Sequence, residues 1–420
     1  MCGHSFGFKQ LAWCLGLSCL AVAARADSLG FRKEVVYAAG QSPLIGLTDV
    51  NHDGKWDIVV NADGSNVMQV LFGESKGKFG AGRHVKTGLA PGYPYSADVN
   101  EDGNVDVVSA NYTGGSVNVF LGSSNGDFKL HEQLNSGVNP SVLGLYDFNA
   151  DGHVDIAAAN KGGNSVGIYL GNGDGTFETR SDYAAGSVPE GFLSDVNRDG
   201  RMDIVLANTQ GNTLSVLLGN PDGSFQAALN SITGTSPRVS GVFDFNFDGK
   251  YDLVVWNTQD TTASIFLGNG DGTFKPGVNY QVGMQPYGHI ADVNRDGKVD
   301  LISTNFGDNT VSVLLGNSDG TFKAASVYSA TALGNMMRAI VTDVNHDDKP
   351  DIVAPNYASY YVSVFLGNGD GTFQAKQDFK TGAGPGLILV ADFNFDGKQD
   401  LAVENLQDAS VSVLLNDGVK

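Results

Sequence analysis

At Asp195 the chain reads DVNRDGRMD, with carboxylates at positions 1, 5 and 9 of the stretch, Asn at 3 and Gly at 6. Three carboxylates so close repel one another unless a cation gathers them. Side-chain oxygens at 1, 3 and 5, a backbone carbonyl at 7 and Gly at the sharp turn are the ligand spacing of Ca²⁺ loops, whose hard ion takes about six to eight oxygens. The Asp at position 9 is expected to close the shell. The pattern occurs eight times, giving eight candidate metal sets: Asp49, Asn51, Asp53 and Asp57; Asp98, Asn100, Asp102 and Asp106; Asp147, Asn149, Asp151 and Asp155; Asp195, Asn197, Asp199 and Asp203; Asp244, Asn246, Asp248 and Asp252; Asp292, Asn294, Asp296 and Asp300; Asp343, Asn345, Asp347 and Asp351; Asp392, Asn394, Asp396 and Asp400.

Ordinary turns also favour Asp, Asn and Gly. Turn preference does not fix an acid at position 9, however, and eight copies in register favour the ion. An EF-hand fails because position 12 of the first copy is Val60 and the flanks read as strands. Transition metals would look for imidazole or thiolate, and the loop histidines His52, His153 and His346 fall at unpatterned positions 4 and 7. Up to eight structural Ca²⁺ ions are therefore expected, at the roughly 10⁻⁴ to 10⁻³ M affinities of extracellular sites. The seventh copy departs, with Asp348 at position 6 and Pro350 at position 8, so this site is expected to be weak or empty.

The chain carries 46 Asp plus Glu against 26 Lys plus Arg, a formal charge of -20, which speaks against nucleic acid as a partner. Lys9, an apolar run from Leu11 to Ala24 and the pattern Ala24-Arg25-Ala26 read as a secretory signal over residues 1–26. Its ~14 apolar residues are too few for a bilayer, which needs ~20, so no membrane span is expected after cleavage. A secreted or cell-surface protein follows. All three cysteines lie in this segment, and the mature chain from Asp27 would carry no disulfide. Losing Lys9 and Arg25 takes the charge to -22, and eight divalent ions would bring it to -6, so the acidity is mostly internal ligand charge.

The loops need elements to position them. Their starts are 48 to 51 residues apart and fill residues 27–420, the signature of one repeat architecture. Each unit reads as four short strands: a run before the loop, one after it such as DIVLAN (Asp203 to Asn208), a third such as LSVLLG (Leu214 to Gly219), then a turn and a segment such as VYAAG (Val36 to Gly40). Runs such as Ile58-Val59-Val60 are apolar on both faces, as in a sheet packed between two others. The fold class is thus all-β, a β-propeller of eight four-stranded blades, with seven the alternative. The opening FRKEVVYAAG matches the segment that the final VSVLLNDG lacks, so an N-terminal strand is expected to complete the last blade and close the ring.

The loops D-x-N-x-D-G-x-x-D, the apolar strand after each and LGNGDGTF (Leu170 to Phe177, Leu267 to Phe274, Leu366 to Phe373) resemble the FG-GAP/VCBS repeat family. The resemblance implies an integrin-α-like propeller, usually of seven blades, with Ca²⁺ in the loops on one face, serving adhesion, carbohydrate binding or partner recognition. The GNGDGTF turn itself reads as a hairpin former with a packing Phe. Asn recurs at strand ends, at Asn111, Asn160, Asn208, Asn257, Asn305, Asn356 and Asn405, with Asn61 one place early, and reads as a structural tie.

Catalysis needs unlike residues at one place, so the singular residues matter most. On the face opposite the loops the copies differ, and the candidate ligand rim is Tyr95, Tyr112, Glu190, Arg238, Tyr287, Arg338, Tyr357 and Tyr360. Aromatics with Arg and Glu suit sugar stacking or a protein contact. No nucleophile elbow, HExxH or phosphate loop is present. The expected function is a monomeric, non-catalytic module for an extracellular glycan or protein ligand. The alternative is a calcium-dependent lyase or glycosidase, with Glu190, Arg238, His289 and Arg338 as its nearest catalytic candidates.

Overall fold

A computed structural model describes residues 29–330 and 334–419; the expected export signal lies outside them. Eight four-stranded antiparallel sheets follow one another. In the fourth blade, Pro189–Ser194 pairs with Asp203–Asn208, then Thr213–Leu217, then Leu229–Ile232, in chain order. The first strands of most neighbouring blades touch one another, so they surround the axis. Every second strand runs from the position-9 Asp of its loop and is buried along all six residues, as the two-sided apolar pattern requires.

The core is divided as a ring demands. Among the described residues there are eight apolar clusters, and each joins two adjacent blades, the last to the first included. Where loop position 2 is Phe, it meets the turn Phe of the next blade edge-on: Phe393 with Phe79 at 5.4 Å, Phe148 with Phe225 at 5.4 Å, Phe245 with Phe322 at 5.5 Å. Each turn thus rests on the preceding blade's Asp loop. Gly223 belongs to such a turn, and a Cβ there would come within 3.1 Å of Asn149 Cβ.

Closure follows the sequence. Val35–Ala38 is the outer strand of the last blade, paired with Ser410–Leu414. The match extends one step further, because Leu29–Phe31 pairs with Asn416–Val419 and rebuilds the turn that other blades write continuously. Arg32 N donates to Leu415 O at 2.8 Å, as Gln374 N donates to Leu366 O at 2.8 Å. Phe31 takes the turn-Phe place against Phe379, 4.8 Å between centroids. The last blade thus has the same four strands as the others, and only the short outer edge that every blade presents is left.

Candidate functional site

The eight Asp loops share one hydrogen-bond scheme. In the fourth, Asp195 Oδ1 accepts Asp199 N at 3.0 Å, Asp195 Oδ2 accepts Gly200 N at 2.8 Å, Asn197 Oδ1 accepts Asp199 N at 3.1 Å, and Asp199 Oδ1 accepts Arg201 N at 3.0 Å. Two left-handed residues fold the loop back on itself: position 4, with φ from 56° to 59° in all eight copies, and position 6. Gly suits position 6, whereas His52, Glu101, Arg198 or Phe247 at position 4 hold a conformation that costs a side-chain-bearing residue roughly 1–2 kcal/mol. The seventh loop keeps the scheme: Asp348 adopts φ 65° and its N donates to Asp343 Oδ2 at 2.9 Å.

The position-9 carboxylates are fully buried and span the blade. Asp203 Oδ2 accepts Val196 N at 2.9 Å and Oδ1 accepts Gly219 N at 2.9 Å, tying its loop to the end of the third strand; the other seven copies repeat both bonds. Burial first, then the neighbouring loop carboxylates, push Asp57, Asp155, Asp203, Asp300, Asp351 and Asp400 up to about 6, against the amide hydrogen bonds that pull them down.

Among the described residues, no three or more Asp, Glu, His or Cys side chains are gathered tightly enough to hold a metal by themselves. A cation here would need the Asn oxygen and a backbone carbonyl as well. The donor set fits Ca²⁺ in kind: every candidate atom is a hard oxygen, and each carboxylate oxygen that accepts one amide keeps a second lone pair. The GNGDGTF turns close on themselves, with Asp174 Oδ1 accepting Thr176 N at 3.0 Å and Oγ1 at 2.6 Å, and Gly171 bridging Phe177.

Each first strand runs from the opposite end of the propeller into its Asp loop, so the residues just after Pro189, Pro237 and Pro286 mark the other mouth. The strand-end asparagines stand nearby, all fully buried. Asn208 Nδ2 donates to Thr213 Oγ1 at 2.9 Å and Ser215 Oγ at 2.7 Å, fixing the strand end. Asn61, one place early, reaches instead into the next blade, donating to Gly92 O at 2.7 Å.

Four of the eight rim candidates converge at this mouth. Glu190 Oε1 accepts Lys161 Nζ at 2.5 Å and Oε2 accepts Arg238 Nη1 at 3.3 Å. Burial would raise the Glu190 carboxyl, but these two cations outweigh it and hold it below its ordinary value. The Arg238 guanidinium lies 5.1 Å from the Tyr287 ring centroid. Arg238, Tyr287 and Arg338 line two adjoining clefts, of ≈ 190 Å³ toward Glu190 and Trp256 and ≈ 530 Å³ toward Tyr93, Leu387 and Glu404. Tyr357 stands behind, linked through Phe306 to Tyr287 at centroid distances of 6.4 and 6.2 Å. Tyr95 is not brought to the rim; it packs on the core between the second and third blades. Tyr112 and Tyr360 are exposed and line neither cleft.

Pro355 stands opposite the irregular stretch that carries Arg338. It accepts Met337 N at 2.9 Å but has no N–H to return, and regular pairing of the first strand begins only at Ile340. Two further residues were not singled out from sequence, Trp256 and Glu404. Trp256 packs where a Cβ on Gly288 would come within 1.7 Å of it, and its Nε1 donates to Ser240 Oγ at 2.6 Å. Glu404 is 1% exposed, and its Oε1 accepts Leu387 N at 2.8 Å while Tyr93 Oη stands 3.5 Å away. A signal existed: the place before the seven in-register strand-end Asn residues is Ala in three blades (Ala110, Ala159, Ala207) but Trp256, Thr304, Pro355 and Glu404 in the other four.

Fold and sites together define a closed eight-bladed propeller with Asp loops at one end and a polar, aromatic mouth at the other. The chain belongs to the FG-GAP-like repeat family, whose model matches residues 49–109, 147–193, 195–255, 292–354 and 343–403. No curated protein matches the chain in sequence. Among solved structures, a lectin of Agrocybe aegerita that recognises non-reducing terminal N-acetylglucosamine is similar at 20% identity and TM-score 0.51, over 90% of this chain and 100% of that one. A dihydro-heme d1 dehydrogenase shares 14% identity at TM-score 0.55, over 92% of this chain and 79% of that one. A Lactobacillus plantarum protein shares 15% at 0.52, over 70% and 86%. At these identities the likeness is one of fold.

Proposed function

We propose that this chain is an exported, calcium-stapled propeller that binds a glycan or protein ligand at its axial mouth and catalyses no reaction of its own. The observation that carries this reading is the convergence of Glu190, Arg238, Tyr287 and Arg338 from four different blades on two adjoining clefts. A repeat supplies like residues everywhere, so unlike residues meeting on the axis are what a ligand site requires. The Agrocybe aegerita lectin is a precedent for sugar recognition on a similar fold. Calcium would sit in the Asp loops at the far end as a structural ion, held by oxygens at positions 1, 3, 5 and 9 and the carbonyl at 7. A glycan array probed in calcium and again in chelator, with Arg238→Ala alongside, tests the reading. Retention of defined glycans by the wild type and their loss in the variant support it, whereas a blank array together with no protein partner in calcium buffer sinks it.

The second reading, a polysaccharide-active enzyme, draws on one observation. Two carboxyls of the mouth are driven apart, Glu190 downward and Glu404 up to about 7, the arrangement used for acid and base roles. Release of new reducing or unsaturated ends from acidic polysaccharides would establish it.

A further inference from the structure

The wider cleft distinguishes among ligands, an argument that rests on the axial mouth being the binding site. Arg238 is committed to Glu190 and to the Tyr287 ring, but Arg338 has no carboxylate within ion-pair distance among the described residues. Arg338 is exposed at the cleft wall, and an arginine there without a counter-charge is open to an anion, its planar fork suiting a carboxylate. Across the same cleft, Glu404 Oε2 is buried with no hydrogen-bond partner. A buried polar atom left so costs about 1–3 kcal/mol until a donor reaches it, and a ligand hydroxyl is such a donor. Met337, Leu387 and Tyr287 supply the apolar wall between them.

We infer that the mouth takes an acidic sugar residue, its carboxylate on Arg338, a ring hydroxyl on Glu404 and its C–H face on the apolar wall. A neutral hexose leaves Arg338 unmatched, inorganic phosphate leaves the wall bare, and a fatty acid leaves Glu404 without a donor. A uronic acid meets all three demands. The cleft of ≈ 530 Å³ lies inside the range of about 300–1,000 Å³ usual for small-molecule sites.

Calorimetric titration of the mature protein in calcium buffer with trigalacturonate and with its fully methyl-esterified form tests this, with Arg338→Gln and Glu404→Gln as variants whose melts in calcium report folding. The free acid should bind at least tenfold more tightly than the ester; Arg338→Gln should erase that preference while sparing ester binding, and Glu404→Gln should weaken both about tenfold. Equal or tighter binding of the ester, or a preference that survives Arg338→Gln, overturns the acid-sugar assignment and leaves the glycan-binding reading standing. Silence with both trimers also overturns it, and the broader reading then falls only if the array is blank as well.

Discussion

Glu404 Oε1 accepts the amide of Leu387 at 2.8 Å, which holds a carboxyl group inside a strand that is buried throughout. Burial pushes that carboxyl up to about 7, against the pull of the amide bonds. A carboxyl raised in the folded state stabilises the fold fully below the unfolded value, near 4.5, and loses that contribution as pH climbs to about 7. Glu404→Gln should therefore match the wild type at pH 4 and exceed it above pH 7, by up to ~3 kcal/mol. Thermal melts of both proteins across pH 4–8 check this; parallel curves would show that the side chain ionises freely.

The Asp loops make two kinds of contribution that mutation can separate. Asp203→Ala strips acceptors from two buried amides, Val196 N and Gly219 N, and should cost about 2–5 kcal/mol even in chelator, with a further loss in calcium because position 9 is also a proposed ligand. Asp195→Ala removes acceptors from the outer part of the loop, so its cost in chelator should be about 1 kcal/mol and rise when calcium is present. Denaturant melts of the two variants in both buffers give four numbers, and equal costs in chelator would refute the division of labour.

Calcium itself should raise the melting temperature of residues 27–420, with metal content by mass spectrometry near eight ions per chain. A ligand at about a hundred times its dissociation constant stabilises by ~2.7 kcal/mol per site. Metal-free protein whose melt ignores chelator would return the loops to the status of ordinary turns.

Backbone strain makes the seventh loop a target for improvement. Asp348→Gly relieves a φ of 65° and should stabilise by about 1 kcal/mol, while Gly297→Ala at φ 81° in the sixth loop should destabilise by a similar amount. No atom lies within 4 Å of a Cβ on Gly297, so the second change reports backbone alone. A pair of melts suffices, and a neutral result at either position would show that the loop relaxes around it.

Much of this was legible in the sequence. The repeat period, the two-sided apolar strands and the displaced FRKEVVYAAG together dictate eight blades and the closing strand, because period and strand count are local properties. The rim was legible only in part. Glu190, Arg238, Tyr287 and Arg338 differ from their counterparts in other blades, and that difference marked them, but Tyr95 differs as well and is drawn into the core. Whether an aromatic faces the axis or a neighbouring blade depends on the one-residue offsets by which blades set their register, and these arise from tertiary packing. Glu404 escaped notice because one acid among 46 is conspicuous only against aligned copies. Spacing marks the position-9 Asp as a candidate ligand, and nothing in it shows that one oxygen holds the loop backbone while the other holds the end of the third strand.

Leu29 lies opposite Val419, and Val35 opposite Val413, so segments attached before and after the propeller leave it side by side. Tension between them would open the clasp from that end, breaking one backbone bond at a time instead of loading the whole ladder together. A ring held by eight shared interfaces would accordingly unzip under a small pull.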